Sequence, residues 1–65
     1  MDFYVARDEN EDLYLYKCST EEEIPTKDDS SWLCDGGDYW ELDNEMFPNV
    51  KWEDETPTKV DFTVV

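Results

Sequence analysis

Clustered carboxylates are the residues of this sequence with the clearest chemical potential. They are Glu21, Glu22 and Glu23; Asp28 and Asp29; Asp35 and Asp38; and Glu53, Asp54 and Glu55. All of these lie in predicted loops or turns, where the side chains project freely. Duplex nucleic acid carries one charge per about 1.7 Å of its axis, and a small domain with 19 acidic residues can approach that density on one side. The clusters therefore predict binding to a basic protein surface, for example the Arg/Lys channel of a nucleic-acid-binding enzyme, as a DNA mimic.

The net charge favours a binding surface over a merely solvated one. Runs of charge in most proteins are solvated faces that keep the chain soluble. Here 19 acidic residues stand against five basic ones, which gives a net charge of −14. Solubility is served by a charge of roughly 2 to 8 in magnitude, and further self-repulsion destabilises a small fold. The excess favours an inhibitor or modulator of a basic partner, with a general interaction or structural module as the alternative.

Tyrosines form the second set of candidate contact residues. Tyr4, Tyr14 and Tyr16 fall on one face of a predicted hairpin, where they offer apolar area with a polar tip. That face is either an exposed partner-binding surface or is covered by Phe47, Val50 and Trp52. Direct binding to nucleic acid or to an anionic membrane is excluded by charge repulsion. A β domain of this size also leaves little room for a small-molecule pocket.

A partial calcium motif lies in the hairpin turn. Asp8, Asn10 and Asp12 match the opening of an EF-hand loop, but the sixth position is Leu13 instead of Gly and the twelfth is Ser19 instead of Glu. The motif fails at both geometric requirements, so the sequence predicts a solvated acidic turn. Weak, adventitious Ca²⁺ binding is the alternative.

Catalytic and metal chemistry find little support in the residue types. The chain has no His, and no hydroxyl or thiol nucleophile has a visible base beside it. We therefore expect no enzyme activity and no cofactor. Cys18 and Cys34 provide half a zinc site at most. With no leader before the first strand, a reducing cytoplasm is expected, in which both thiols are small core residues; a disulfide or redox role is the alternative.

The elements that position these residues begin with a β-hairpin over residues 3–18. Two runs rich in aromatic and branched residues flank a polar break that contains Asn and Asp. A three-residue loop over residues 9–11 would place Asp8 opposite Asp12. This register separates aliphatic from tyrosine side chains. It predicts four core residues: Phe3, Val5, Leu13 and Leu15.

The remaining segments are shorter. Residues 19–29 read either as a helical turn or as an acidic loop broken by Pro25, and the loop is favoured, with Ile24 as its anchor. Residues 30–34 and 39–43 flank the Gly36-Gly37 pair and predict a second hairpin, from which one tryptophan packs across the first. Residues 43–48 predict a helical or 3-10 turn stopped by Pro48, followed by a lid whose apolar anchors are Met46, Phe47, Val50 and Trp52.

Residues 58–65 alternate as a strand, with Val60, Phe62 and Val64 on one face. This strand is expected to close the sheet at an edge or between the hairpins. The chain thus predicts a single mainly β domain over residues 1–65. Its fold is an antiparallel sheet of four to five strands, built from two hairpins and a C-terminal strand, with one short helical turn.

Two blocks of the chain resemble a family of small uncharacterised proteins from gut-bacterial genomes and their phages. The first block is Tyr-Val-Ala-Arg-Asp over residues 4–8 with Leu-Tyr-Leu-Tyr over 13–16. The second runs from Leu-Asp at 42–43 through Phe-Pro-Asn-Val-Lys-Trp-Glu-Asp over 47–54. The chain departs from the family pattern at Glu11, where a turn glycine is usual, and at Asn49, where Glu is usual. The resemblance implies no activity, but it implies a phage or mobile-element origin.

Overall fold

The computed structural model describes residues 2–61, which form six strands in two antiparallel sheets and one turn of 3-10 helix. The strands are β1 (Asp2–Arg7), β2 (Leu13–Cys18), β3 (Thr26–Lys27), β4 (Trp32–Leu33), β5 (Asp38–Leu42) and β6 (Thr58–Val60). The main sheet has the order β5-β2-β1-β6, and β3 and β4 form the small sheet. The predicted mainly β class is confirmed.

The β1–β2 hairpin has the predicted register. Val5 lies opposite Leu15 and Arg7 opposite Leu13. At the turn, the amide of Asp8 donates to the carbonyl of Asp12 (2.9 Å), and the amide of Glu11 donates to the carbonyl of Asp8 (2.9 Å). The three-residue loop therefore forms as predicted, although Glu11 must adopt a left-handed φ of 75° to close it.

Glu11→Gly is expected to stabilise the protein. Glycine occupies a left-handed conformation without the steric cost that a Cβ adds, about 1 kcal/mol, and the carbonyl that Glu11 presents to Arg7 is retained. Urea unfolding followed by tryptophan fluorescence should show the gain. Glu9→Gly is the control: Glu9 is exposed in the same loop and lacks a positive φ, so it should gain nothing. Equal effects of the two changes would contradict the explanation.

One face of the main sheet carries an aliphatic core. Val5, Leu13 and Val50 are buried there, and Leu15 and Phe47 pack against them. Of the four predicted core residues, Val5 and Leu13 are fully buried, whereas Phe3 and Leu15 are half-buried. The cover is the chain around Phe47 and Val50, so the predicted lid lies on this aliphatic face; Met46, its fourth anchor, stays exposed.

The opposite face carries an aromatic core. Ala6, Tyr16, Cys18 and Trp32 are buried together. Trp32 is held on both sides of the hairpin end, because its indole Nε1 donates to the carbonyl of Arg7 (3.1 Å) and its amide donates to Oδ1 of Asp8 (3.0 Å). The prediction that one tryptophan packs across the first hairpin is confirmed, and that residue is Trp32.

The predicted second hairpin is wrong. Strand β4 pairs with β3, placing Thr26 opposite Leu33, whereas β5 pairs with β2 in the main sheet. The turn between β4 and β5 does contain Gly36 with a φ of 87°, but it carries the chain from the small sheet to the main one. Pairing β5 with β2 extends a hydrogen-bonded sheet over five residue pairs, which a two-residue β4 cannot match.

Both predictions about short helical segments need correction. Residues Glu21–Glu23 form a 3-10 turn where a loop was favoured. Residues 43–48 form a β-turn instead of a helical turn: the amide of Met46 donates to the carbonyl of Asp43 (3.0 Å) and the amide of Glu45 to its Oδ1 (2.9 Å). Phe47 then takes a φ of 50°, which ends any right-handed turn.

Strand β6 pairs with β1 and so lies at an edge of the main sheet, as predicted. Val60 is opposite Phe3 and packs against the aliphatic core. Phe62 and Val64, which were predicted to continue this strand, lie outside the described residues.

Candidate functional site

The predicted carboxylate clusters are mostly on the surface. Glu23 and Asp54 are half-buried, and the exposed members are Glu21, Glu22, Asp28, Asp29, Asp35, Asp38, Glu53 and Glu55. The two half-buried residues serve local structure, because Glu23 accepts from the amide of Ser19 (3.1 Å) and Asp54 from the amide of Lys51 (3.0 Å). Asp38 is the first residue of β5 and not a turn residue, since β5 joins the main sheet.

The fold brings some of these clusters together. Glu22 and Asp35, distant in sequence, line one shallow groove with Leu33. Glu53 lines another with Glu9 and Glu11, two carboxylates that sequence reasoning did not select. Nothing in the local sequence signals the second grouping, because it depends on where the chain after Val50 returns to the hairpin loop.

The basic residues do little to neutralise this surface. Within residues 2–61 a single ion pair forms, between Lys59 and Asp2 (3.6 Å), and both side chains are more than half exposed. Arg7 donates to backbone carbonyls, including that of Val50 (2.7 Å). Lys27 donates to the carbonyl of Trp52, with its Nζ 4.3 Å from the indole centroid. Arg7 and Lys27 are thus used in holding the fold, and with 19 acidic against five basic residues the negative field of the carboxylates stays largely uncancelled.

A second candidate surface is a groove of about 320 Å³ beside the tyrosine face. Tyr14, Tyr16 and Tyr39 line one side, and their ring centroids lie 6.0 to 6.3 Å apart. The chain from Ser31 to Cys34 lines the other side, and Asp8 completes the groove. Two predicted contact residues are therefore joined by Tyr39, which sequence reasoning missed because its pairing with Tyr16 depends on the unforeseen position of β5.

The tyrosine face is neither fully exposed nor covered by all three of the residues expected to cover it. Phe47 and Val50 cover the opposite face of the sheet, so they do not cover the tyrosines; of the three expected residues only Trp52 packs on that side. Trp32 supplies the main cover, and Tyr16 is buried as a result. Tyr4 packs against the same core but does not line the groove. The exposed part of this face is Tyr14 with Tyr39, of which Tyr39 is 62% exposed.

Burial and neighbouring carboxylates shape the ionisation of the groove. Burial raises the pKa of Asp8, and the nearby Asp12 carboxylate adds to that, while the hydrogen bond from the Trp32 amide acts against it. Burial first, and then the charges of Glu41, Asp12 and Asp8, raise the pKa of Tyr14. The pKa of Tyr16 is raised by burial and by Asp8. Both phenols therefore stay protonated at neutral pH.

The two cysteines are free thiols that meet beneath the aromatic core. Cys18 is buried and Cys34 half-buried, and both Sγ atoms donate to the carbonyl of Glu23 at 3.2 Å. Burial, followed by the effect of Cys34, raises the pKa of Cys18 to about 11. Cys18 therefore has the low reactivity of a protonated core thiol.

Among residues 2–61, no three or more Cys, Asp or Glu side chains are arranged to hold a metal ion. No helix in that range is long and apolar enough to cross a membrane. No protein-family model matches the chain, and neither a curated protein nor a solved structure matches it.

Proposed function

We propose that this chain is a small acidic protein-binding inhibitor or modulator that occupies a basic groove of its partner. The observation that supports it is the uncancelled field: a net charge of −14, with a single exposed ion pair in the described part of the chain. The proposed role is binding, which this surface supports. The partner class is a basic protein, such as a nucleic-acid-binding enzyme whose channel normally holds phosphates.

The placement of the carboxylates supports a charge-mimic role. The described chain measures 31 × 26 × 18 Å. Exposed carboxylates decorate turns at several points on this body, at Glu22 and Asp35 in one groove and Glu53 in another. In this proposal the protein acts in the cytoplasm, where its thiols stay reduced, and the resemblance to phage proteins suggests a host enzyme as the target.

A tagged pull-down from a bacterial lysate at low salt tests the proposal. After stepwise NaCl washes, one basic nucleic-acid-binding enzyme should leave at moderate salt, because long-range attraction between exposed charges is screened. The double variant Glu22→Gln with Asp35→Asn should lower recovery of that partner about five-fold. The matched control, Glu45→Gln with Asp61→Asn, removes two exposed charges outside the predicted clusters and should lower recovery far less.

Two outcomes would overturn the proposal. A neutral partner that resists salt would replace a charge mimic with an aromatic contact module, the second candidate function, which the exposure of Tyr39 and Leu33 (62% and 54%) favours. Recovery of no partner at all would remove the support for a basic target. Equal losses for the two double variants would exclude Glu22 and Asp35 as the contact surface, because retention would then depend on net charge alone.

A further inference from the structure

The groove beside the tyrosine face has the composition of a cation site. Its tyrosine side presents Tyr14, Tyr16 and Tyr39, and the π-faces of such rings attract cations. Asp8 lies in the same groove, and one of its carboxylate oxygens accepts from the Trp32 amide. Within the described residues its other oxygen, Oδ2, accepts no hydrogen bond. Aromatic side chains and a carboxylate with spare accepting capacity thus line a single groove.

The same face of the protein already binds a cation of its own. Lys27 Nζ lies 4.3 Å from the ring centroid of Trp52 and 5.3 Å from that of Trp32. Trp32 also lines the tyrosine groove, so the internal cation site and the groove share one side chain. The chain itself fills the Lys27 site, whereas in the described structure no cationic side chain lines the tyrosine groove.

Charge complementarity identifies the occupant. Asp8, Asp12 and Glu41 all act on Tyr14 electrostatically, so the groove repels anions and a second copy of this acidic chain. A guanidinium is planar, stacks on aromatic rings and presents a fork of N–H donors to a carboxylate, whereas an ammonium offers a compact point charge. We propose that the groove formed by Tyr14, Tyr16, Tyr39 and Asp8 binds an arginine side chain of the partner protein. This inference rests on the proposed function, because it supplies the anchor that a basic partner would insert.

A blocked tripeptide with a central arginine is the probe that tests this site. Titrated into the intact protein, it should shift the NMR ring resonances of Tyr14 and Tyr39 with a dissociation constant on the order of 1 to 10 millimolar, the strength of an exposed cation–π contact with a charged hydrogen bond. The same peptide with citrulline, a neutral isostere, should bind at least about five-fold more weakly. Equal shifts for arginine and citrulline would overturn the proposal, and so would shifts that avoid the groove.

Two pairs of variants test whether arginine binding depends on the groove itself or only on net charge and exposed aromatic residues. Tyr39→Leu should weaken arginine binding, whereas Trp40→Leu, which removes a 48% exposed aromatic from the adjacent residue on the opposite face of β5, should not. Asp8→Asn keeps an acceptor for the Trp32 amide and should weaken binding several-fold, whereas Glu45→Gln removes the same charge at an exposed turn. Amide spectra establish that each variant is folded. Equal effects within either pair would contradict the site.

Different results would exclude the arginine groove and the charge-mimic role. If the arginine peptide binds the groove but the lysate contains no salt-sensitive basic partner, the site stands and the charge-mimic role fails. If such a partner is recovered but binds Tyr39→Leu and wild type equally, the charge-mimic role stands and the arginine groove is excluded as its anchor.

Discussion

Arg7→Ala is expected to leave a substantial fraction of the protein unfolded at room temperature. The Arg7 Nε atom donates to the carbonyl of Val50 (2.7 Å), and Nη1 donates to the carbonyl of Glu11 (2.7 Å). Further bonds reach the carbonyls of Asn44 and Met46, both at 3.1 Å. One side chain therefore fastens the hairpin loop and the chain that covers the aliphatic core.

The energetic scale makes this loss decisive. Hydrogen bonds from a charged donor contribute about 1.5 to 3 kcal/mol each, although several on one side chain do not add in full. A domain of this size has a net stability of about 3 to 5 kcal/mol. Loss of about 3 to 4 kcal/mol would consume most of it, because the cover over Val5 and Leu13 is released together with the carbonyls.

Circular dichroism and urea unfolding measure the effect. Arg7→Lys should lie between wild type and Arg7→Ala, because a single ammonium cannot span carbonyls that a guanidinium fork reaches from two sides. Lys59→Ala is the charge-matched control: its ion pair with Asp2 is exposed and worth under about 1 kcal/mol. If the free energies of unfolding of Arg7→Ala and Lys59→Ala differ by less than about 1 kcal/mol, the bridging role assigned to Arg7 is wrong.

The contrast between the two parts of the fold shows what sequence patterns can predict. The β1–β2 register follows from local alternation, because a slip of one residue would mix Val5 and Leu15 with the tyrosines. The position of β5 depends on a long-range choice between two partners. Its sequence is compatible with pairing to residues 32–34 across the glycine turn, but β2 offers five paired positions. The residues of the glycine turn do not indicate which of the two pairings is the more extensive.

The candidate site could likewise be predicted only in part from the sequence. Exposure of most acidic clusters follows from charge alone, since unpaired carboxylates stay in water. The tyrosine groove needs Tyr39 beside Tyr16 and the chain around Trp32 over the hairpin end, and both depend on the position of β5 and β4. Asp8 illustrates the limit: sequence reasoning assigned it to a failed calcium motif, whereas the structure shows it accepting from Trp32 and lining the groove.

Gly37→Ala is the second substitution with a large expected effect, because it attacks the junction that places β5. A Cβ at Gly37 would lie 2.7 Å from the carbonyl oxygen of Lys17 and 2.7 Å from Sγ of Cys34. The Lys17 carbonyl belongs to β2 and cannot move without disturbing the sheet, so the start of β5 must separate from β2. We expect a loss of about 2 to 3 kcal/mol and displacement of Tyr39 from Tyr16.

Gly36→Ala separates close approach from turn conformation. Gly36 has a φ of 87°, but a Cβ there would meet open space, so only the backbone cost of about 1 kcal/mol applies. Urea unfolding gives the stability of each variant, and NMR ring resonances report whether Tyr39 still contacts Tyr14 and Tyr16. A larger loss for Gly36→Ala than for Gly37→Ala would mean that turn conformation, and not the contact with β2, positions β5. If Gly37→Ala is the more destabilising change, the position of β5 and the tyrosine groove both require that residue 37 has no side chain.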